Sequence, residues 1–258
     1  MFILLDERNY VFSSEESMVF RVFVYCFLLS ILTACAARGL VNTDYQKGPP
    51  KAPTSLLVAP ADFVIHEIGF GKDQERVVTW EEKASQSFES TVRSLSDSEG
   101  RFTVVNFNSL SIDDQSLIEQ HRALFATMTS QLLQIKEGKE SVWTEKRNNF
   151  NYSMGSGLYP IKEKYGADAV VFVVGKDTVR SASRIVLDLL NSIIPGADSL
   201  SASNAYLVVG VVETETGRIV LFDTDTAKRK SFSNESDVRG MAENTLTDYK
   251  KLVRASGR

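Results

Sequence analysis

Asp168-Ala-Val-Val-Phe-Val-Val-Gly175 is the stretch on which the fold turns. Between Asp168 and Gly175 every residue is apolar, and four of the six are valine. A strand with one wet face would alternate polar and apolar side chains. This one does not, so it reads as a central strand buried on both faces. Downstream, Ala205-Tyr-Leu-Val-Val-Gly-Val-Val212 and Arg218-Ile-Val-Leu-Phe222 flank Glu213-Thr-Glu-Thr-Gly217. Two β-rich runs around a short polar turn ending in glycine predict an antiparallel hairpin, with Gly217 available for a left-handed turn position.

Upstream, Ser55-Leu-Leu-Val-Ala-Pro60 predicts a first strand that runs on to Ile65, followed by a glycine-containing loop over 66–76. Trp80, Ala84, Phe88, Val92 and Leu95 recur every three or four residues, which predicts an amphipathic helix over about 77–96. Arg101-Phe-Thr-Val-Val-Asn-Phe107 follows as a strand. Ser111 ahead of Asp114 marks a helix start, and Leu117, His121, Leu124, Phe125, Met128, Leu132 and Ile135 trace that helix's stripe. A polar stretch over 136–157 leads to a short helix with Leu158, Ile161 and Tyr165 on one side. A last helix over about 236–254 carries Val238, Met241, Leu246, Tyr249 and Val253. Strands alternate with helices and a hairpin comes late. The expected fold is a single α/β domain over 55–254, a mixed sheet of about five strands with helices on its faces.

With that order, Tyr165-Gly-Ala-Asp-Ala-Val-Val-Phe-Val-Val-Gly175 and Tyr206-Leu-Val-Val-Gly-Val-Val-Glu-Thr-Glu-Thr-Gly-Arg-Ile-Val220 resemble the superfamily that includes the TolB amino-terminal domain and the curli-secretion CsgG lipoproteins. There a helix commonly ends in a Gly-Ala-Asp step into a central strand. The resemblance covers roughly 55–250 by element order and these two stretches by residue pattern. It implies an envelope accessory: members serve as secretion channels, activators of cell-wall synthases or transport-system partners. No residue role carries over.

The other decisive signal lies at the start. Val22 to Ala34 reads VFVYCFLLSILTA, without a charge, behind Arg21 and ahead of Cys35. A membrane-spanning helix needs about 20 apolar residues. The run is shorter and has the charge order of a secretory signal. Leu32-Thr33-Ala34-Cys35 resembles the lipobox of bacterial lipoproteins, in which the cysteine thiol accepts a diacylglyceryl group. Residues 1–34 are therefore read as a signal peptide, with Met18 a better start than Met1 because four acids precede Arg21. Residues 35–54, with Gly48-Pro49-Pro50 and Pro53, read as a lipidated tether. Ala36 after Cys35, rather than aspartate, resembles the enterobacterial pattern for the outer membrane, with the domain facing the periplasm.

Composition narrows the function. The net charge of −4 lacks the basic excess of a nucleic-acid binder. Cleavage after Ala34 leaves about −2. Of the two cysteines, Cys26 falls in the signal, so the mature chain has one and no internal disulfide. The histidines are His66 and His121. His66-Glu67 lacks the second histidine of a zinc-protease helix, and His121 reads as a core-edge residue of its stripe. Gly69-Phe-Gly71 lacks the third glycine of a dinucleotide loop, since Gln74 stands there. Gly155-Ser156-Gly157 lacks the nucleophile-elbow spacing and reads as a turn. Lys228-Arg229-Lys230, beside Asp223 and Asp225, reads as a solvated loop. No nucleophile–base pair, metal or cofactor is expected, so a hydrolase is the least favoured class.

One segment stands apart. In Arg184-Ile-Val-Leu-Asp-Leu-Leu-Asn-Ser-Ile-Ile-Pro-Gly196, residues Ile185, Val186, Leu189, Leu190, Ile193 and Ile194 form a wide apolar face. Two readings stand. The face packs on the sheet while Asp188 and Asn191 meet water, which is the reading preferred from sequence. Alternatively Ile185, Leu189, Leu190, Ile193 and Ile194 contact a partner or a bilayer. The expected function is a non-enzymatic envelope lipoprotein, an accessory or assembly factor that binds another protein or itself. The alternative is an oligomeric component of an outer-membrane secretion or transport channel. Replacing Cys35 with Ser should release the protein from the membrane fraction of lysed cells. Equal sedimentation of Cys35→Ser and wild type with membranes would refute lipidation at this residue.

Overall fold

The structure is a computed structural model that describes residues 39–46, 51–69, 73–138, 149–181, 204–228 and 230–256. Its strands are β1 (Leu40–Val41), β2 (Ser55–Val58), β3 (Asp62–Ile68), β4 (Gln74–Arg76), β5 (Thr103–Val105), β6 (Ala169–Arg180), β7 (Asn204–Glu213) and β8 (Ile219–Lys228). Its helices are α1 (Thr43–Gln46), α2 (Val78–Glu99), α3 (Ile112–Lys136), α4 (Tyr159–Tyr165), α5 (Glu235–Thr245) and α6 (Thr247–Ser256). All eight strands share one sheet. The class is the expected one, mixed α/β with flanking helices, and the strand count is higher than five.

β6 is the axis. On one side it runs parallel to β2 and then to β3. On the other it runs antiparallel to β7, which pairs antiparallel with β8. Parallel β5 lies outside β2, and β1 closes the far edge against β8. Side chains alternate across a strand. Ala169, Val171 and Val173 therefore enter one core, with Phe88 and Val92 of α2, Met241 of α5 and Tyr249 of α6. Val170 and Phe172 enter the other, with Ile118, Phe125 and Leu132 of α3 and Ile161 of α4. Residues 169–173 are all sealed from solvent.

Several boundaries move for identifiable reasons. The first strand is two, because Pro60 has no N–H to give and interrupts the ladder between β2 and β3. The expected loop over 66–76 is largely a hairpin, with His66 opposite Arg76. The last helix divides at Leu246, between Thr245, whose hydroxyl donates back to the Met241 carbonyl, and Thr247. β6 continues to Arg180 and β8 to Lys228, past the apolar runs, with buried Asp177 bonded to Ser231 and Phe232 and buried Asp223 paired with Lys136. Residues 40–46, without an apolar period, nonetheless join the fold: β1 extends the sheet, and Asn42 is buried.

Two glycines carry geometry. Gly217 ends the β7–β8 turn at φ 67°, and a Cβ there would sit 1.9 Å from the Gly155 carbonyl oxygen. Gly210 lies opposite Phe172, and the Phe125 ring rests on it: a Cβ would be 2.2 Å from the ring edge. Phe125 also stacks on Phe172 at 5.6 Å between centroids, so α3 meets the sheet at that flat spot.

The two helices of that face are locked at their ends by Asp114. Ser111 caps α3, its hydroxyl accepting the Asp114 N–H at 3.2 Å and donating to the carboxylate at 2.6 Å. From α4, Lys164 Nζ reaches Asp114 Oδ1 at 2.8 Å, and the Tyr165 hydroxyl donates to Oδ2 at 2.8 Å. Lys164 first, then Ser111 and Tyr165, hold the Asp114 carboxyl down at about 2.

Gly210→Ala should cost about 1–3 kcal/mol by overpacking, read as a lower urea midpoint, and adding Phe125→Leu should recover part of it. An unchanged midpoint would show that the ring can move aside. Asp114 supplies stability that is complete above the ordinary carboxyl range and drains as pH falls toward about 2. Wild type should therefore lose more stability than Asp114→Asn between pH 5 and 2, and parallel curves would contradict the lock.

Candidate functional site

The residues singled out in the sequence for contact with a membrane or partner fall outside the described residues: Cys35, and Ile185, Leu189, Leu190, Ile193 and Ile194. What the structure fixes is where their neighbours emerge. Gly39 follows Cys35 by four residues and is already bonded into the fold: its N–H donates to Asp248 Oδ2 at 3.1 Å. The aliphatic segment lies in the connection between β6 and β7. Those strands are antiparallel neighbours, with Lys176 opposite Tyr206. A hairpin between such strands needs about 2–5 residues, whereas residues 181–203 intervene.

The ionisable groups that the fold gathers are fasteners. A cleft of ≈ 440 Å³ is lined by Asp62, Arg76, Glu81, Glu82, Gln86 and Arg122, among others. Within it Arg76 grips Glu81 with two hydrogen bonds, at 2.8 and 2.9 Å. Glu81 also accepts the Ile65 N–H at 3.0 Å. Its carboxyl lies below the usual range, chiefly through Arg76. Arg122 binds Glu119 and stands 3.6 Å from Asp62. This arrangement pins the β3–β4 hairpin to α2.

Lys136 at the end of α3 pairs with Asp223 of β8, both largely buried, and also reaches the Thr224 hydroxyl at 2.8 Å. Burial raises the Asp223 carboxyl, and Lys136 opposes the rise. Tyr45 donates to Glu213 at 2.8 Å, and Arg218 bridges Glu213 at 3.2 Å to Asp44 at 3.1 Å. Burial, then that acceptor, pushes the Tyr45 hydroxyl well up. The group ties 43–46 to the β7–β8 turn.

The Gly-Ala-Asp step has a role that its pattern did not disclose. Asp168 accepts the N–H groups of Thr54 and Ser55, each at 3.1 Å, and so anchors the start of β2 beside β6. Asp177, on β6, accepts the Phe232 N–H and the Ser231 hydroxyl at 2.8 Å each. These partners lie 54 to 114 positions apart in sequence, so no local spacing announces them. The histidines stay separate in role. His66 is half-buried on β3. The His121 ring bonds the Leu117 carbonyl of its own helix at 2.8 Å and abuts Gly157. Among the described residues no three His, Cys, Asp or Glu side chains are grouped to hold a metal ion, and no helix is long and apolar enough to cross a membrane.

No protein-family model matches the chain, and no curated protein matches it. Among solved structures it is similar to the crystal structure of the lipoprotein GNA1162 from Neisseria meningitidis, at 11% sequence identity. The match covers 76% of this chain and 96% of that one, with a TM-score of 0.29, too slight a likeness to bear on function.

Proposed function

We propose that this chain is a bacterial envelope lipoprotein, held by a lipid on Cys35, that serves as a non-catalytic accessory or assembly factor through protein contacts. The observation that carries the reading is Leu32-Thr33-Ala34-Cys35 at the end of an uncharged run. The engagement of Arg76, Glu81, Asp114, Lys136, Asp168 and Glu213 in structural bonds supports a scaffold. The periplasmic face of the outer membrane is the site proposed, from Ala36 after the cysteine. Kinship with the TolB amino-terminal and CsgG-like superfamily belongs to the same proposal.

The working surface proposed is the aliphatic segment, through Ile185, Leu189, Leu190, Ile193 and Ile194. The sequence alone prefers packing of this segment on the sheet, and the sheet topology supports the other reading. Helices already cover both sheet faces, and a tight turn would suffice to join β6 to β7. A free aliphatic face of this size exceeds the few hundred Å² that monomers commonly leave exposed, so it would call for a partner. Leu189→Asp should then leave the thermal midpoint nearly unchanged and abolish self-association or crosslinking to a partner in intact cells. General destabilisation would mean that the segment is core, because an unpaired charge there is costly. In detergent the protein should elute as a monomer or small oligomer. A large ring would point instead to a channel component.

A further inference from the structure

The side of the sheet that carries β4 and β5 has a gap. β5 covers Ser55, Leu56 and Leu57 of β2, and β4 covers His66, Glu67 and Ile68 of β3. Between them the chain passes Pro60, which has no N–H to give, and enters β3 at Asp62. The N–H and C=O groups of successive residues face opposite sides of a strand. Those of Ile65 face away from β6: the N–H donates to Glu81 Oε1 at 3.0 Å, and the carbonyl accepts the Val77 N–H at 2.9 Å. Two residues earlier, the N–H and C=O of Phe63 face the same way, and among the described residues nothing meets them there. The Phe63 side chain is committed to the first core, edge-on to Phe232 at 4.9 Å between centroids. Unmet main-chain groups at a strand edge are a template for another strand.

The cleft of ≈ 440 Å³ opens on this gap, with Asp62 and Phe63 on one side and α2 on the other. Ligand sites commonly span about 300–1,000 Å³. Val78, Glu82, Ser85 and Glu89 line the cleft at helical spacing, as one face of α2. Val78 is an aliphatic residue left 53% exposed. Carboxylates outnumber guanidiniums in the lining, with Asp62, Glu81, Glu82 and Glu89 against Arg76 and Arg122. Arg76 is held by Glu81, and Arg122 by Glu119 beside Asp62, while Glu89 pairs with Arg93 of its own helix. Glu82 is exposed, and its carboxylate has no partner among the described residues. An anion entering here would meet that surplus, whereas a cation complements it.

We propose that the cleft is a docking slot for an extended, basic segment of another protein. The segment lies along β3 at the gap, exchanges main-chain hydrogen bonds with Phe63, and sets a lysine or arginine side chain at Glu82. In strand addition of this kind the main chain supplies affinity and the side chains supply the choice. A single outward-facing residue is open, so the attachment is weak and charge decides its occupant. The slot is a second contact surface for an accessory protein. It needs neither lipidation at Cys35 nor an exposed aliphatic segment.

Full-length protein in detergent, titrated into a fluorescein-labelled Thr-Lys-Val-Lys-Thr peptide, tests the slot by fluorescence anisotropy. The expected dissociation constant lies below about 1 mM, and binding should weaken as salt rises. Glu82→Gln should weaken it about two- to five-fold. The same change at Glu163, exposed on α4 across the sheet, should leave binding unchanged. Both variants should keep the wild-type urea midpoint, because neither carboxylate is bonded within the described fold. Methylating the peptide's main-chain nitrogens, or replacing its lysines with glutamates, should abolish binding. The slot is overturned if the basic peptide does not bind, if Glu82→Gln binds it as wild type does, or if the methylated peptide binds undiminished. Preference for the glutamate peptide would overturn it as well.

Discussion

Burial of β6 on both faces is the constraint from which the rest follows. Residues 169–173 present apolar side chains alternately to two cores and none to water. A strand of that kind is stable only if each face has its own helical cover. α2, α5 and α6 provide one cover, and α3 with α4 the other. Its two edges also need hydrogen-bonded partners, since an unmet buried backbone group is costly. β2 and β3 meet one edge, β7 the other.

The polar residues are placed to serve that arrangement. Asp168 fixes β2 beside the start of β6, and Asp177 fastens the 231–232 turn to its later half. Asp114 binds the first turn of α3 to the end of α4, while Lys136 binds the last turn of α3 to β8. Buried charges are tolerated only when paired and hydrogen-bonded. Asp114 and Lys136 are ion-paired across the chain, Asp168 and one oxygen of Asp177 accept hydrogen bonds from distant residues, and Asp177 Oδ1 is buried with no hydrogen-bond partner among the described residues.

What sequence made legible was whatever repeats locally. The valine run of β6, the β7–β8 hairpin with Gly217 at positive φ, and the stripe of α2 declare themselves by period, whereas on α3 the buried line takes in Ile118 with Phe125, Leu132 and Ile135 and leaves Leu124 of the expected stripe exposed. What stayed hidden depends on long-range partners. β1 is two residues long and exists through its register with β8. The polar continuations of β6 and β8 depend on Ser231 and Lys136, far away in the chain. The β3–β4 hairpin rests on Glu81 of α2 gripping Arg76. Lipidation at Cys35 is a proposal from sequence alone, and the joining of residues 40–46 to the sheet was not legible, because they have no pattern of their own.

The account's central claim is that this domain is carried on a lipid at Cys35. Intact mass spectrometry of the protein extracted from native membranes tests it most directly. The account predicts a chain that begins at Cys35 and carries a diacylglyceryl group on that residue. A chain that retains residues ahead of Cys35, or one with an unmodified Cys35 thiol, would contradict it.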